Sequence, residues 1–81
     1  MTEPRRLGRP RPATVELDPD RLPAAVDRRP VDSVLEEWLV EDRWWTAKPL
    51  RRRHVEVVLD AGRCVVVFCD LVTGSWFSQR G

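Results

Sequence analysis

His54 is the only histidine in the chain, so proton-transfer chemistry would have to begin there. It stands directly after Arg51, Arg52 and Arg53, whose positive charge disfavours its protonated form. Its spacing places no serine or cysteine nucleophile beside it, as a catalytic relay would require. We expect an exposed sheet residue with no catalytic or metal-binding role. Zinc asks for three or four ligands, commonly with a close pair such as C-x-x-C. The only cysteines, Cys64 and Cys69, are five positions apart in what reads as one strand. That spacing sets them ~16 Å apart and on opposite faces, whereas a disulfide needs Cα atoms within about 7 Å. Both are expected to be reduced and to act as small apolar side chains. Glu36, Glu37, Glu41 and Asp42 read as a solvated acidic stretch rather than a carboxylate pair for acid–base work. No glycine-rich phosphate loop or dinucleotide fingerprint is present. The residues therefore point to a protein that is not an enzyme and uses no metal or small-molecule cofactor.

Recognition is better supplied. Four tryptophans, Trp38, Trp44, Trp45 and Trp76, stand in a chain with two phenylalanines and no tyrosine. Trp44 and Trp45 are adjacent, so in an extended segment they face opposite sides. One fills core, and the other lies on a surface or under a loop, where an indole is a frequent anchor for a partner. Alternatively, all four fill a core short of other aromatics. Next to the pair lies a basic run, Lys48, Arg51, Arg52 and Arg53. Cations beside rings suit single-stranded nucleic acid, with charges on phosphates and rings under bases. The same residues suit an acidic protein partner, or simple pairing with the acidic stretch nearby. In a strand Arg52 faces away from Arg51 and Arg53, so the run is not automatically one patch.

Net charge is +1, yet unevenly spread. Glu16 to Arg43 holds nine acids against four arginines, while Lys48 to Arg53 holds four cations and no acid. A near-neutral total thus hides a basic edge beside an acidic one. With 42% hydrophobic and 33% charged residues the chain belongs to folded rather than disordered proteins. The longest apolar run, Cys64 to Cys69, is far short of the roughly 20 residues that cross a bilayer. Met1 to Ala13, mostly arginine and proline, does not resemble a secretory signal. A cytoplasmic protein with no membrane association is expected.

The elements that must position these residues read as mainly β, within one domain over 13–81. Residues 1–12, with three prolines and four arginines, read as a flexible basic tail. Thr14 to Leu17 alternates as a first strand, Asp18-Pro19-Asp20 turns, and Leu22 to Val26 returns with Pro23 at its edge or start. His54 to Leu59 presents Val55, Val57 and Leu59 on one face, with His54 and Glu56 outward. Asp60-Ala61-Gly62 closes a hairpin with glycine where φ must be positive. Arg63 to Asp70 is apolar on both faces, as a central covered strand is. A loop with Gly74 and a strand Ser75 to Arg80 complete a three-stranded meander. The segment 31–40 stays ambiguous. Val31, Val34, Leu35, Trp38 and Leu39 fall at helical spacing, and a short helix there competes closely with the strand we adopt. The expected architecture is a small antiparallel sheet or open barrel.

Four phrases carry a family resemblance: Trp38-Leu-Val-Glu-Asp-Arg-Trp-Trp45, Arg51-Arg-Arg53, Val67-Phe-Cys-Asp-Leu71 and Thr73-Gly-Ser-Trp-Phe77. Over residues 12–80 the chain resembles an uncharacterised small domain family of actinobacterial type. The tryptophan phrase also resembles the C-terminal region of the inactive Y-family polymerase-like protein of the bacterial mutasome. This implies an accessory or adaptor in translesion DNA synthesis, with polymerase components as protein partner, and it transfers no catalytic residue. The chain departs from the pattern at His54-Val55, where aromatics usually follow the basic stretch. The leading expectation is a non-catalytic adaptor with Trp44 or Trp45 as anchor and Arg51, Arg52 and Arg53 as electrostatic guide. The alternative is a single-stranded DNA-binding accessory using the same residues.

Overall fold

A computed structural model describes residues 9–42 and 50–80. Seven antiparallel strands make up nearly all of it: β1 (Arg11–Pro12), β2 (Val15–Leu17), β3 (Pro23–Val26), β4 (Arg29–Asp42), β5 (Leu50–Leu59), β6 (Cys64–Asp70) and β7 (Trp76–Arg80). Their order across the sheet is β1-β7-β6-β5-β4-β3-β2. The strands at the two edges are neighbours in sequence. Arg11 pairs with Ser78, and only four residues later Val15 pairs with Val26 at the other edge. Such a short link forces the sheet to curl, and the result is an open half-barrel.

Two residues make the crossing. The Ala13 amide donates to the Trp76 carbonyl at 3.0 Å. The Thr14 amide donates to Oδ1 of Asp27 at 2.9 Å, and the Asp27 amide returns a bond to the Thr14 carbonyl at 2.7 Å. Asp27 and Arg28 form the two-residue turn between β3 and β4 with φ of 49° and 69°. Positive φ at both positions gives the turn twist that matches a right-handed hairpin.

The ambiguous segment 31–40 is strand throughout, so the short-helix alternative is set aside. Its helical spacing has a physical origin in two β-bulges. The register against β5 slips at Asp32 and again at Leu35, each an extra residue with no partner opposite. The first bulge puts Val31 and Val34, three apart, on the same inner face. Trp38 and Leu39 then pair with His54 and Arg53 and lie on opposite faces. Each bulge also bends β4 and increases its twist, which helps the sheet curl.

The inner face buries Val26, Val55, Val57, Leu59, Val65 and Val67, with Ala13, Val15, Val31, Val34 and Trp76 packed around them. The outer face buries Val66 and Phe68 in β6, so this strand is covered on both sides as its apolar run predicts. Fully burying each such side chain is worth ~1.5–3 kcal/mol. Two expectations need correction. His54 and Glu56 are not solvent-facing; both are buried, because β5 lies mid-sheet among larger side chains. Arg11 and Pro12, read as tail, are strand residues held by β7.

The remaining turns follow local chemistry. Oδ1 of Asp18 accepts the amides of Asp20 and Leu22 at 2.8 and 3.0 Å, and Pro23 begins β3 without owing a bond to the sheet interior. Gly62 and Gly74 adopt φ of 76° and 80° in the two meander loops, a region open to glycine at no steric cost.

Candidate functional site

The sequence nominated six binding residues. Trp44, Trp45 and Lys48 lie outside the described residues. Arg51, Arg52 and Arg53 are all on β5, and the pleat divides them.

Arg53 points to the inner face and is fully engaged. Its Nε and Nη2 meet the Glu37 carboxylate at 3.2 and 3.0 Å, and its Nη1 donates to the Arg21 carbonyl at 2.8 Å. This fork ties β5 to β4 and to the β2–β3 turn folded over it. The Arg53 guanidinium holds the Glu37 carboxyl below its ordinary value, chiefly through that hydrogen bond. Arg51 shares the same face, and its Nη2 stands 4.0 Å from Oε1 of Glu41, with both side chains about half exposed. Arg52 goes to the outer face, where its guanidinium carbon lies 4.8 Å above the Phe68 ring centre. The triplet is therefore not one cationic patch. Two members face carboxylates, and the third rests on an aromatic ring.

That ring belongs to a feature the sequence reading missed. Trp38, His54, Phe68 and Phe77 come from four neighbouring strands and stack in a row across the outer face. Successive centroids are 5.2, 5.0 and 5.1 Å apart, with interplanar angles of 14°, 28° and 23°. Strand spacing of about 4.8 Å sets this repeat. Each ring meets its neighbour face to face, so Phe68 is 2% exposed and His54 8%. Such a row stiffens the sheet but has no ring face to offer a nucleobase at its centre. Burial between the rings pushes the His54 pKa below its ordinary value, and the Arg52 charge adds to the effect. The direction agrees with the sequence reading, but burial rather than neighbouring charge is the larger cause. The ladder could be found only by knowing register: Trp38 opposite His54, His54 opposite Phe68, Phe68 opposite Phe77.

Large apolar side chains are also left exposed. Leu35 and Leu39 on β4 are 55% and 53% exposed, and Leu71 and Val72 in the β6–β7 loop are 43% and 61% exposed. The Leu71 amide bonds the Arg51 carbonyl at 2.9 Å, which fixes that loop beside the start of β5. β4 also has an unpaired side. β3 pairs with it only at Arg29 and Pro30, and among the described residues no other strand lies along that edge.

Cys64 is exposed at the start of β6, and Cys69 is half-buried near its end; neither is in a disulfide. Among the described residues no group of three or more His, Cys, Asp or Glu side chains is arranged to hold a metal ion. Among the described residues no helix is long and apolar enough to cross a membrane. Comparison with known proteins found no family model, no curated protein and no solved structure that matches the chain.

Proposed function

We propose that the chain is a non-catalytic binding module that docks on another protein through the open edge of β4 and the 43–49 connection beyond it. The observation that carries this reading is the length of β4. It runs from Arg29 to Asp42, yet only its first two residues have a strand partner on the β3 side. A free strand edge offers a row of backbone donors and acceptors for β-augmentation. Leu35 and Leu39 add exposed apolar area along it. Trp44 and Trp45 follow two and three residues after β4 in sequence, and an indole is a frequent anchor for a partner.

A non-catalytic role is supported by His54, whose ring is packed between Trp38 and Phe68 rather than presented to a substrate. Protein docking is favoured over single-stranded DNA because Arg53 and Arg51 already face Glu37 and Glu41, while Arg52 lies on the other face. A phosphate track needs its cations on one side. The resemblance at Trp38 to Trp45 makes translesion polymerase components in the bacterial cytoplasm the first partners to try.

Co-purification of the tagged chain with those components tests the reading. Trp44→Ala, Trp45→Ala and Leu39→Asp should each weaken capture while leaving the β circular-dichroism spectrum intact. Capture unaffected by all three variants overturns it. So would tight, strongly salt-dependent binding of a labelled single-stranded oligonucleotide without any protein partner.

A further inference from the structure

At the opposite end of β5 from Leu50, the half-barrel opens into a cavity of about 630 Å³. Four arginines line it: Arg9, Arg11, Arg29 and Arg63. They come from four separate places in the chain, namely the approach to β1, β1 itself, the start of β4 and the β5–β6 turn. The curl of the sheet is what brings them together. Among the described residues none of the four has a carboxylate partner. Among the described residues Asp27 is the sole acid in the lining, and its Oδ1 is taken by the Thr14 amide.

Below the arginines the floor is aliphatic, formed by Val26, Leu59 and Val65. Grouping like charges around a concave space costs repulsion unless an anion relieves it, and a concave wall focuses the positive field inward. Guanidinium forks match carboxylates two bonds at a time. No aromatic ring lines the cavity among the described residues, so a nucleobase would find no stacking partner there. A branched aliphatic side chain would find a matching floor.

We infer that this cavity is a second recognition site, for an acidic peptide segment that carries an aliphatic side chain between its carboxylates. The aliphatic group sits on Val26, Leu59 and Val65, and the flanking carboxylates meet the four arginines. The site stands apart from the β4 edge and does not depend on it: its residues gather where Arg29 begins β4 and Leu59 ends β5, while the edge reading uses the other end of the same two strands.

Fluorescence anisotropy of the full chain with a short labelled peptide of alternating glutamate and leucine tests it. Saturable binding should weaken about tenfold or more in the double variant Arg29→Glu, Arg63→Glu, since each lost charge-assisted pair is worth a decade or so in affinity. Arg21→Glu at the β2–β3 turn, a charge change equal to either single reversal, should leave affinity unchanged. Peptides with glutamine for glutamate should fail to bind, and peptides with glycine for leucine should bind more weakly. If the double variant loses the β circular-dichroism spectrum, Arg63→Gln and Arg11→Gln taken singly provide the same comparison. Three results would each overturn the inference. One is equal binding of the glutamine peptide or of the double variant. Another is tighter binding of a thymidine oligonucleotide, which would make this a phosphate site. The last is light scattering that shows self-association displaced by the peptide, which would make a second copy the occupant.

Discussion

Arg53 grips Glu37 with two nitrogens, 3.2 and 3.0 Å from the two carboxylate oxygens, and spends its third on the Arg21 carbonyl. A side chain that looked available for recognition is therefore a brace between two strands and the β2–β3 turn. Arg53→Ala should lower unfolding free energy by about 1–2 kcal/mol, because its charge-assisted bonds to Glu37 and the Arg21 carbonyl are lost at a site that solvent partly screens. Glu37→Gln should cost under about 1 kcal/mol, since its carboxylate is half exposed and screened by solvent. The Glu37 carboxyl is held below its ordinary value in the fold. Its contribution is thus complete above the unfolded-state pKa and disappears as pH falls through the folded one. Urea denaturation at neutral and acid pH should show wild type and Glu37→Gln converging in acid. A constant difference would show that the ion pair contributes nothing.

The stacked position of His54 adds a pH dependence of the same sign in a higher pH range, from burial of a neutral ring rather than from pairing of a charged one. Burial keeps the folded ring neutral below the ordinary histidine value of 6.5. The unfolded chain takes up a proton there first, so stability should fall as pH drops below about 6.5 and level off once the folded ring also titrates. Because the chain has one histidine, its NMR titration is free of overlap. His54→Phe should keep the ladder and remove this slope; His54→Ala should cost about 2–4 kcal/mol by opening a gap between Trp38 and Phe68. A measured pKa at or above 6.5 would refute the buried neutral ring.

How much of this was legible in advance follows from the range of the forces involved. The meander from His54 to Arg80 is governed by neighbours two residues apart and by loop glycines, and alternation located it to within a few residues. Asp18, Pro23, Gly62 and Gly74 likewise act locally. The outer ladder was hidden, because stacking of Trp38 on His54 depends on pairing between residues 16 apart in the chain. Alternation alone made His54 and Glu56 look solvent-facing, since it cannot tell an edge strand from a covered one. The helical appearance of Val31 to Leu39 came from bulges at Asp32 and Leu35, which break the two-residue period that the reading relied on. The arginine-lined cavity was the least visible feature, for it exists only once the sheet curls.

Arg28 holds φ at 69° in the two-residue turn after β3, a conformation that costs an ordinary L-residue about 1–2 kcal/mol. Asp27, at 49°, tolerates it better and also anchors Thr14. Arg28→Gly should therefore stabilise the chain by up to about 1 kcal/mol, the gain being limited by glycine's greater freedom when unfolded. Asp27→Gly should do the reverse, because it deletes the carboxylate that receives the Thr14 amide where the sheet edges meet. Thermal melts of the two variants should move in opposite directions. A lower Tm for Arg28→Gly would show that the arginine side chain contributes more than its backbone costs.

The two cysteines should differ sharply in reactivity although they share one strand. Cys64 opens β6 with its side chain in solvent, whereas Cys69 is half-buried and its Sγ lies 3.7 Å from the Asp70 carbonyl oxygen. Burial raises the Cys69 pKa, the Asp70 charge raises it further, and Arg53 offsets only part of this. Since the thiolate is the reacting species, an alkylating reagent at mildly alkaline pH should modify Cys64 at least about tenfold faster. Peptide mapping by mass spectrometry after timed labelling resolves the two sites. Urea should bring the rates together, because the shift at Cys69 is a property of the folded sheet. Faster labelling of Cys69 in the native protein would mean that the β6–β7 end opens readily, and the loop bonds made by Asp70 to the Val72 and Thr73 amides would then not hold that end closed.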